Sequence, residues 1–171
     1  YFAQETMHKM TIGDKIDVRS QGQGMKLMDY PDILLRNMSP ELLEKMNIEE
    51  KDGKLKVGVA KIVPACIMGS GLGASTSYYG DYDITLHDKK ITEEYGLQNL
   101  RFGDIVAITD ADTRFGRNYM TGAMTIGVVV HSDCILAGHG PGVTTLMTCK
   151  TPLIEVFIDE NANLADYFVA R

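Results

Sequence analysis

The sequence predicts a mainly β fold, a β-barrel or barrel-like sandwich with one or two short helices. Three observations carry this. Runs rich in Val, Ile and Thr lie at residues 15–19, 55–68, 82–87, 104–109, 125–131, 143–148 and 153–159, with Gly, Asn or Asp nearby. Residues 125–130 (TIGVVV) are apolar almost throughout, as in a central strand covered on both faces. Gly13-Asp14 and Gly103-Asp104 each precede an alternating run. In such an entry the glycine supplies the turn and the aspartate bonds nearby backbone N–H groups.

In chain order, the first Gly-Asp turn feeds the strand expected at 15–19. A helix follows at Ser39-Pro40-Glu41, which places a cap residue, a first-turn proline and an early carboxylate before Leu42, Leu43 and Met46. Residues 49–54 (EEKDGK) read as a charged hairpin tip or loop. The 55–68 and 82–87 runs come next, then a short helical turn at 92–95. The second Gly-Asp turn opens 104–109, and 125–131, 143–148 and 153–159 complete the strands. Residues 163–169 close the chain as a helical turn. The repeated Gly-Asp entry is either a stock turn used twice or the sign of two related β-subdomains, about 1–90 and 91–171, within a single β-rich unit.

Composition narrows the function. A net charge of −6 and the absence of a Lys/Arg cluster exclude a nucleic-acid backbone as partner. No apolar run approaches the roughly 20 residues of a membrane helix, and no signal-peptide pattern opens the chain. The partner expected is a small-molecule substrate or an anion, and the protein is expected to form a homo-oligomer. The cysteines (Cys66, Cys134, Cys149) are odd in number, widely spaced and without CxxC, which points to the reducing cytoplasm. The start at Tyr1 suggests a portion of a longer protein, with an N-terminal half or a partner chain missing.

Candidate chemistry concentrates where the 125–130 strand emerges. His131 and Asp133 share a face if that strand continues, and the turn 137–142 brings His139 back toward them. Two imidazoles and a carboxylate form a facial set for Zn²⁺, Mn²⁺ or Fe²⁺. The competing reading is a strand-end histidine, a turn aspartate and a loop histidine. Residues 110–117 (DADTRFGR) follow another strand. There Asp112 is the candidate general base or fourth ligand, and Arg114 and Arg117 can hold a substrate carboxylate. An acidic turn balanced by surface arginines fits as well. The loop 138–145 (GHGPGVTT) offers Gly138, Gly140, Gly142 and Thr144 as an anion nest, or simply a sharp turn. Residues 68–75 (MGSGLGAS) have GxGxG spacing without a following helix, so no dinucleotide fingerprint is present. Just beyond, Gly80-Asp81-Tyr82-Asp83 supplies another same-face aspartate pair, a reserve ligand set.

The segments 22–32 (GQGMKLMDYPD), 80–84 (GDYDI), 100–104 (LRFGD), 122–133 (GAMTIGVVVHSD) and 137–148 (AGHGPGVTTLMT) resemble the C-terminal portion of an uncharacterised bacterial and archaeal family, a domain of unknown function. That resemblance covers nearly all of the chain and carries no activity with it. A second resemblance is to the acetamidase/formamidase enzymes, β-rich metal-dependent amidases. Thr125-Ile-Gly127 followed by His131 and Gly138-His-Gly140 is similar to their site phrase, although the acidic QGDGE part is missing and only His131 can be matched. It implies hydrolysis of a C–N bond. The expectation is therefore a cytoplasmic metal-dependent hydrolase. The alternatives are a non-catalytic anion-binding or assembly module, or the structural subunit of a two-chain enzyme.

Overall fold

The computed structural model describes residues 2–17, 19–73, 77–134, 136 and 138–169. The elements in order are α1 (Gln4–Met7), β1 (Leu34–Leu35), α2 (Pro40–Lys45), β2 (Ile48–Lys51), β3 (Lys54–Val59), β4 (Lys61–Pro64) and β5 (Met68–Gly71). They continue with β6 (Tyr82–Ile84), α3 (Lys89–Glu94), β7 (Ile105–Ala111), β8 (Tyr119–His131), β9 (Gly142–Cys149), β10 (Ile154–Ile158) and α4 (Leu164–Phe168). The fold is mainly β, as expected. One sheet runs β4-β7-β8-β9-β6-β5, with β1 added on β9, and curls into a half-barrel. A smaller sheet runs β10-β3-β2.

The apolar 125–130 run lies within β8, flanked by β7 and β9. Its side chains alternate between two cores. Ile126 and Val128 join Ile105 and Ala107 in one cluster with Val57 and Leu146. Val129 joins Val106, Ile108, Val143 and Ile84 in the other. Period-two alternation between two apolar layers is what a strand covered on both sides requires.

The 55–68 run is not one strand. β3 pairs with β10 and β2, whereas β4 pairs with β7, so the chain changes sheets at Ala60, whose N–H bonds the Ile105 carbonyl at 2.7 Å. The charged stretch 49–54 is a hairpin tip: Lys51 faces Lys54, and Asp52 and Gly53 both have positive φ (52° and 73°). A two-residue loop of that kind matches the twist of its strands. Ser39 caps α2, its hydroxyl accepting from the Leu42 N–H at 3.1 Å, with Pro40 in the first turn. α3 starts earlier than expected because Asp88 caps it through the Lys90 N–H.

The Gly-Asp turn does occur twice. Asp104 accepts from the Arg101 N–H at 2.7 Å and Asp14 from the Thr11 N–H at 2.8 Å. Only the second is followed by a strand. Residues 15–17 and 19 take no strand and lie exposed, since no neighbouring strand offers a ladder. Val18 of that expected strand lies outside the described residues, as do Tyr1, Ala74 and Ser75 of the glycine loop and Ala137 of the 137–142 turn. Strands from both halves of the chain interleave in the large sheet. Among the described residues, no helix is long and apolar enough to cross a membrane.

Candidate metal centre

Register across three neighbouring strands builds the centre. His131 on β8 pairs with Gly142 on β9, and Gly142 pairs in turn with Asp83 on β6. Residues paired across a sheet point to the same face. His131 and Asp83 therefore face the same way from strands roughly 10 Å apart, with a glycine between them. Because Gly142 has no side chain, imidazole and carboxylate meet above it. A Cβ at position 142 would press on His131 Nε2 and Asp81 Oδ2.

His131 reaches this face through a bulge. The β8–β9 register shifts by one residue between Val129↔Val143 and His131↔Gly142. In an unbroken ladder His131 would follow Val129 toward the second apolar cluster. The extra residue turns it to the side of Asp83, a common use of bulges near sites. Asp81, two residues before Asp83, projects to the same face.

The distances are short. His131 Nε2 lies 2.7 Å from Asp81 Oδ2 and 3.4 Å from Asp83 Oδ1. Asp83 is buried (2% exposed), and its two oxygens differ. Oδ2 accepts from the Ser70 hydroxyl at 2.9 Å and lies 3.1 Å from His139 Nδ1. Oδ1 has no hydrogen-bond partner among the described residues. Ser70 Oγ also lies 3.0 Å from His139 Nδ1, and β5 brings it alongside β6. His131 is oriented as well, since its Nδ1 lies 2.8 Å from the Ser132 carbonyl. That bond places the Nδ1 proton and leaves Nε2 turned toward the two carboxylates.

The hydrogen bond to Ser132 pushes the His131 pKa up. Partial burial opposes the rise, and the charges of Asp81 and Asp83 add to it. Asp81, Asp83 and His131 can hold a metal ion: one ligand atom from each lies within 4.8 Å of the others.

The structure treats the expected residues differently. His131 belongs to the centre, and His139 converges with it on Asp83. Asp133 is not one of the three gathered residues. β8 ends at His131, so the same-face argument does not extend to Asp133, which is exposed and accepts from the Cys134 N–H. Asp112 lies just past Ala111, at the end of the β7–β8 ladder opposite His131. There it is locked to Arg114 by two 2.8 Å hydrogen bonds. Arg117 donates to the Gly69 carbonyl at 2.9 Å, next to Ser70, and so braces β5.

Of the loop residues, Gly138 gives its carbonyl to the Ser70 N–H, Gly140 packs on the Ile84 carbonyl and Gly142 forms the floor of the centre. Thr144 is half-buried two residues farther along β9. Ser70 belongs to the 68–75 glycine stretch, and its hydroxyl, which no spacing marks out there, meets Asp83 and His139. Asp81 and Asp83 are the reserve ligand set expected from their same-face spacing.

Gly142→Ala tests the glycine floor. The backbone there suits any residue, so the expected result is an intact fold with divalent-ion affinity reduced about tenfold or more. Calorimetric titration alongside circular dichroism reads both. Unchanged affinity would remove Gly142 from the account.

Comparison with known proteins gives two family matches. The C-terminal part of the domain of unknown function DUF4438 matches residues 45–168, and its N-terminal part matches residues 1–44. The crystal structure of TM1086 is similar at 47% sequence identity with a TM-score of 0.81, over 99% of this chain and 59% of that one. The chain thus spans 59% of the length of that relative. No curated protein matches it.

Proposed function

We propose that this chain, which belongs to the DUF4438 family, holds a divalent metal ion (Mn²⁺, Zn²⁺ or Fe²⁺) between Asp81, Asp83 and His131, and that it hydrolyses a small C–N, amide-type substrate there. One observation carries the metal reading. Asp83 Oδ1 is buried without a hydrogen-bond partner among the described residues, and it faces His131 Nε2 and Asp81 Oδ2. Three electron-pair donors this close repel one another unless a cation lies among them. A buried carboxylate oxygen that accepts no hydrogen bond is also unfavourable unless a cation faces it. The cation is either a proton on His131 or a metal ion.

Two features favour the metal, and a third its identity. Ligand atoms bonded at about 2.1 Å to one octahedral ion stand about 3.0 Å apart, which the 2.7 and 3.4 Å separations bracket. His131 has its other ring nitrogen on a backbone carbonyl, and Asp83 has its other oxygen on Ser70 and His139. Outer partners of that kind fix a ligand's orientation. Two carboxylates with one imidazole suit Mn²⁺, Fe²⁺ or Zn²⁺ better than copper.

A divalent ion in this position lowers the pKa of a coordinated water toward neutrality. His139, about half exposed with Nδ1 3.1 Å from Asp83 Oδ2, would pass a proton between the centre and solvent. The amide class rests on the resemblance of residues 125–140 to the acetamidase/formamidase phrase. With Arg114 committed to Asp112, no role in substrate binding is assigned to it.

The test is titration of chelator-treated protein with Mn²⁺ and Zn²⁺, followed by a panel of small amides. About one ion per chain and metal-dependent amide turnover support the reading. A folded protein that takes up no ion overturns it.

Protons and metal compete for His131. Its folded-state pKa is raised, so its interaction with the carboxylates stabilises the metal-free protein below the unfolded value. That contribution is lost as pH rises through the folded value. Metal binding requires the neutral ring, so it strengthens in the same direction. The melting-temperature gain on adding Mn²⁺ is therefore expected to grow between about pH 6 and about pH 8. A gain that shrinks over this range would contradict the assignment of His131.

A further inference from the structure

We infer that the cavity beside His131 is the substrate pocket of the centre, and that it selects compounds with an apolar body and an uncharged or cationic polar end. The inference rests on the metal reading above and deepens it with a substrate class. The cavity measures about 380 Å³, within the range of small-molecule sites. Leu86, Leu97, Leu100, Phe102, Val129 and Pro141 form its apolar wall. His131, Ser132 and Asp133 form its polar end, and Thr92 and Gln98 add hydrogen-bonding groups. Among the larger cavities of the described residues, one beside Arg36 and Tyr78 holds about 500 Å³ but shares no residue with the centre.

Charge decides the class. The lining contains no lysine or arginine, and the one cation at its polar end, the His131 imidazolium or the ion that replaces its proton, is already matched by Asp81 and Asp83. Asp133 is exposed at the polar end, its Oδ1 accepting from the neighbouring Cys134 N–H. Asp81 and Asp83 do not line the cavity but lie 2.7 and 3.4 Å from His131 Nε2. With Asp81 and Asp83 set against that cation, Asp133 leaves the polar end with a net negative charge, which disfavours an anionic group and favours a cationic or neutral one. The apolar wall rewards an aliphatic or aromatic body by burial at about 25 cal/mol per Å². This differs from the anionic substrate expected from Arg114 and Arg117, since neither lines the cavity.

The experiment compares two probes of equal shape and opposite charge, benzylammonium and benzoate. Each is titrated into ¹⁵N-labelled full chain, with and without Zn²⁺. The expected result is that benzylammonium shifts the amides of Leu86, Leu97, Leu100 and Phe102 and binds about tenfold more tightly than benzoate. Asp133→Lys, an exposed change, is expected to reverse the order while leaving Zn²⁺ affinity within about twofold. Equal affinities, shifts confined to another surface, or no binding of either probe at millimolar concentration would overturn the inference. Zn²⁺ titration of the same samples separates the two readings. Selective probe binding without Zn²⁺ uptake sinks the metal centre alone, whereas Zn²⁺ uptake without probe selectivity sinks the pocket alone.

Discussion

Asp83→Asn is expected to weaken Mn²⁺ or Zn²⁺ binding by about 100-fold or more while the protein stays folded. Even an outer partner of a metal ligand is commonly worth 10- to 100-fold in affinity, so loss of a direct carboxylate belongs at or above that limit. The amide keeps the shape of the side chain and can still accept from Ser70. It removes the charge that Oδ1 carries without a hydrogen-bond partner among the described residues. The metal-free variant should therefore be as stable as the parent, or more stable by about 1 kcal/mol, because a buried, imperfectly compensated carboxylate is gone. Opposite signs for metal affinity and metal-free stability are the signature of a site that trades stability for binding. A merely structural Asp83, holding β5 to β6 through Ser70, would lose stability on substitution and leave metal uptake unchanged. Calorimetric titration and urea unfolding of the two proteins distinguish these results.

Asp112→Asn is expected to give the reverse pattern, a loss of about 2–4 kcal/mol of stability with no change in metal affinity. Asp112 is 4% exposed and takes two hydrogen bonds from the Arg114 guanidinium and one from the Arg114 backbone N–H. The asparagine leaves a half-buried guanidinium without its countercharge. For a chain of this length the melting temperature should fall by roughly 5–15 °C.

The guanidinium hydrogen bonds hold the Asp112 carboxyl below the usual carboxylate range. The contribution of this pair is accordingly present above the unfolded-state pKa and is lost as pH falls through the folded-state value. Removing both partners together, as in Asp112→Leu/Arg114→Met, should cost less than Asp112→Asn alone, since no charge is stranded. If Asp112→Asn instead abolished metal uptake at full stability, Asp112 would return as a ligand or base.

Much of the fold was legible because its signals are local. The apolar 125–130 run, the Ser39-Pro40-Glu41 start of α2 and the β-rich runs at 104–109, 143–148 and 153–159 all form the expected elements. The strand expected at 15–19 shows the limit of that reasoning: its alternating pattern is satisfied locally, but no neighbouring strand pairs with it. β2 shows the converse, since Ile48–Lys51 is charged and becomes a strand only because Asp52-Gly53 folds it onto β3.

The site was half legible for the same reason. His131 and His139 stood out by residue type and position, and Asp81 and Asp83 by their spacing. Their meeting depends on β9 lying between β8 and β6, a non-local pairing that spacing does not encode. It depends also on one extra residue in β8, which turns His131 toward Asp83. Asp133 shows how a single strand end changes a ligand set. Had β8 continued two residues farther, His131 and Asp133 would share a face.

The most direct measurement is an anomalous difference map from crystals of the protein soaked in Mn²⁺. One peak per chain is expected, about 2.1–2.2 Å from Asp81 Oδ2, Asp83 Oδ1 and His131 Nε2. A peak placed instead on Asp133 or at the Asp112 loop, or a map with no peak and a closed ion pair between His131 and Asp81, would contradict it.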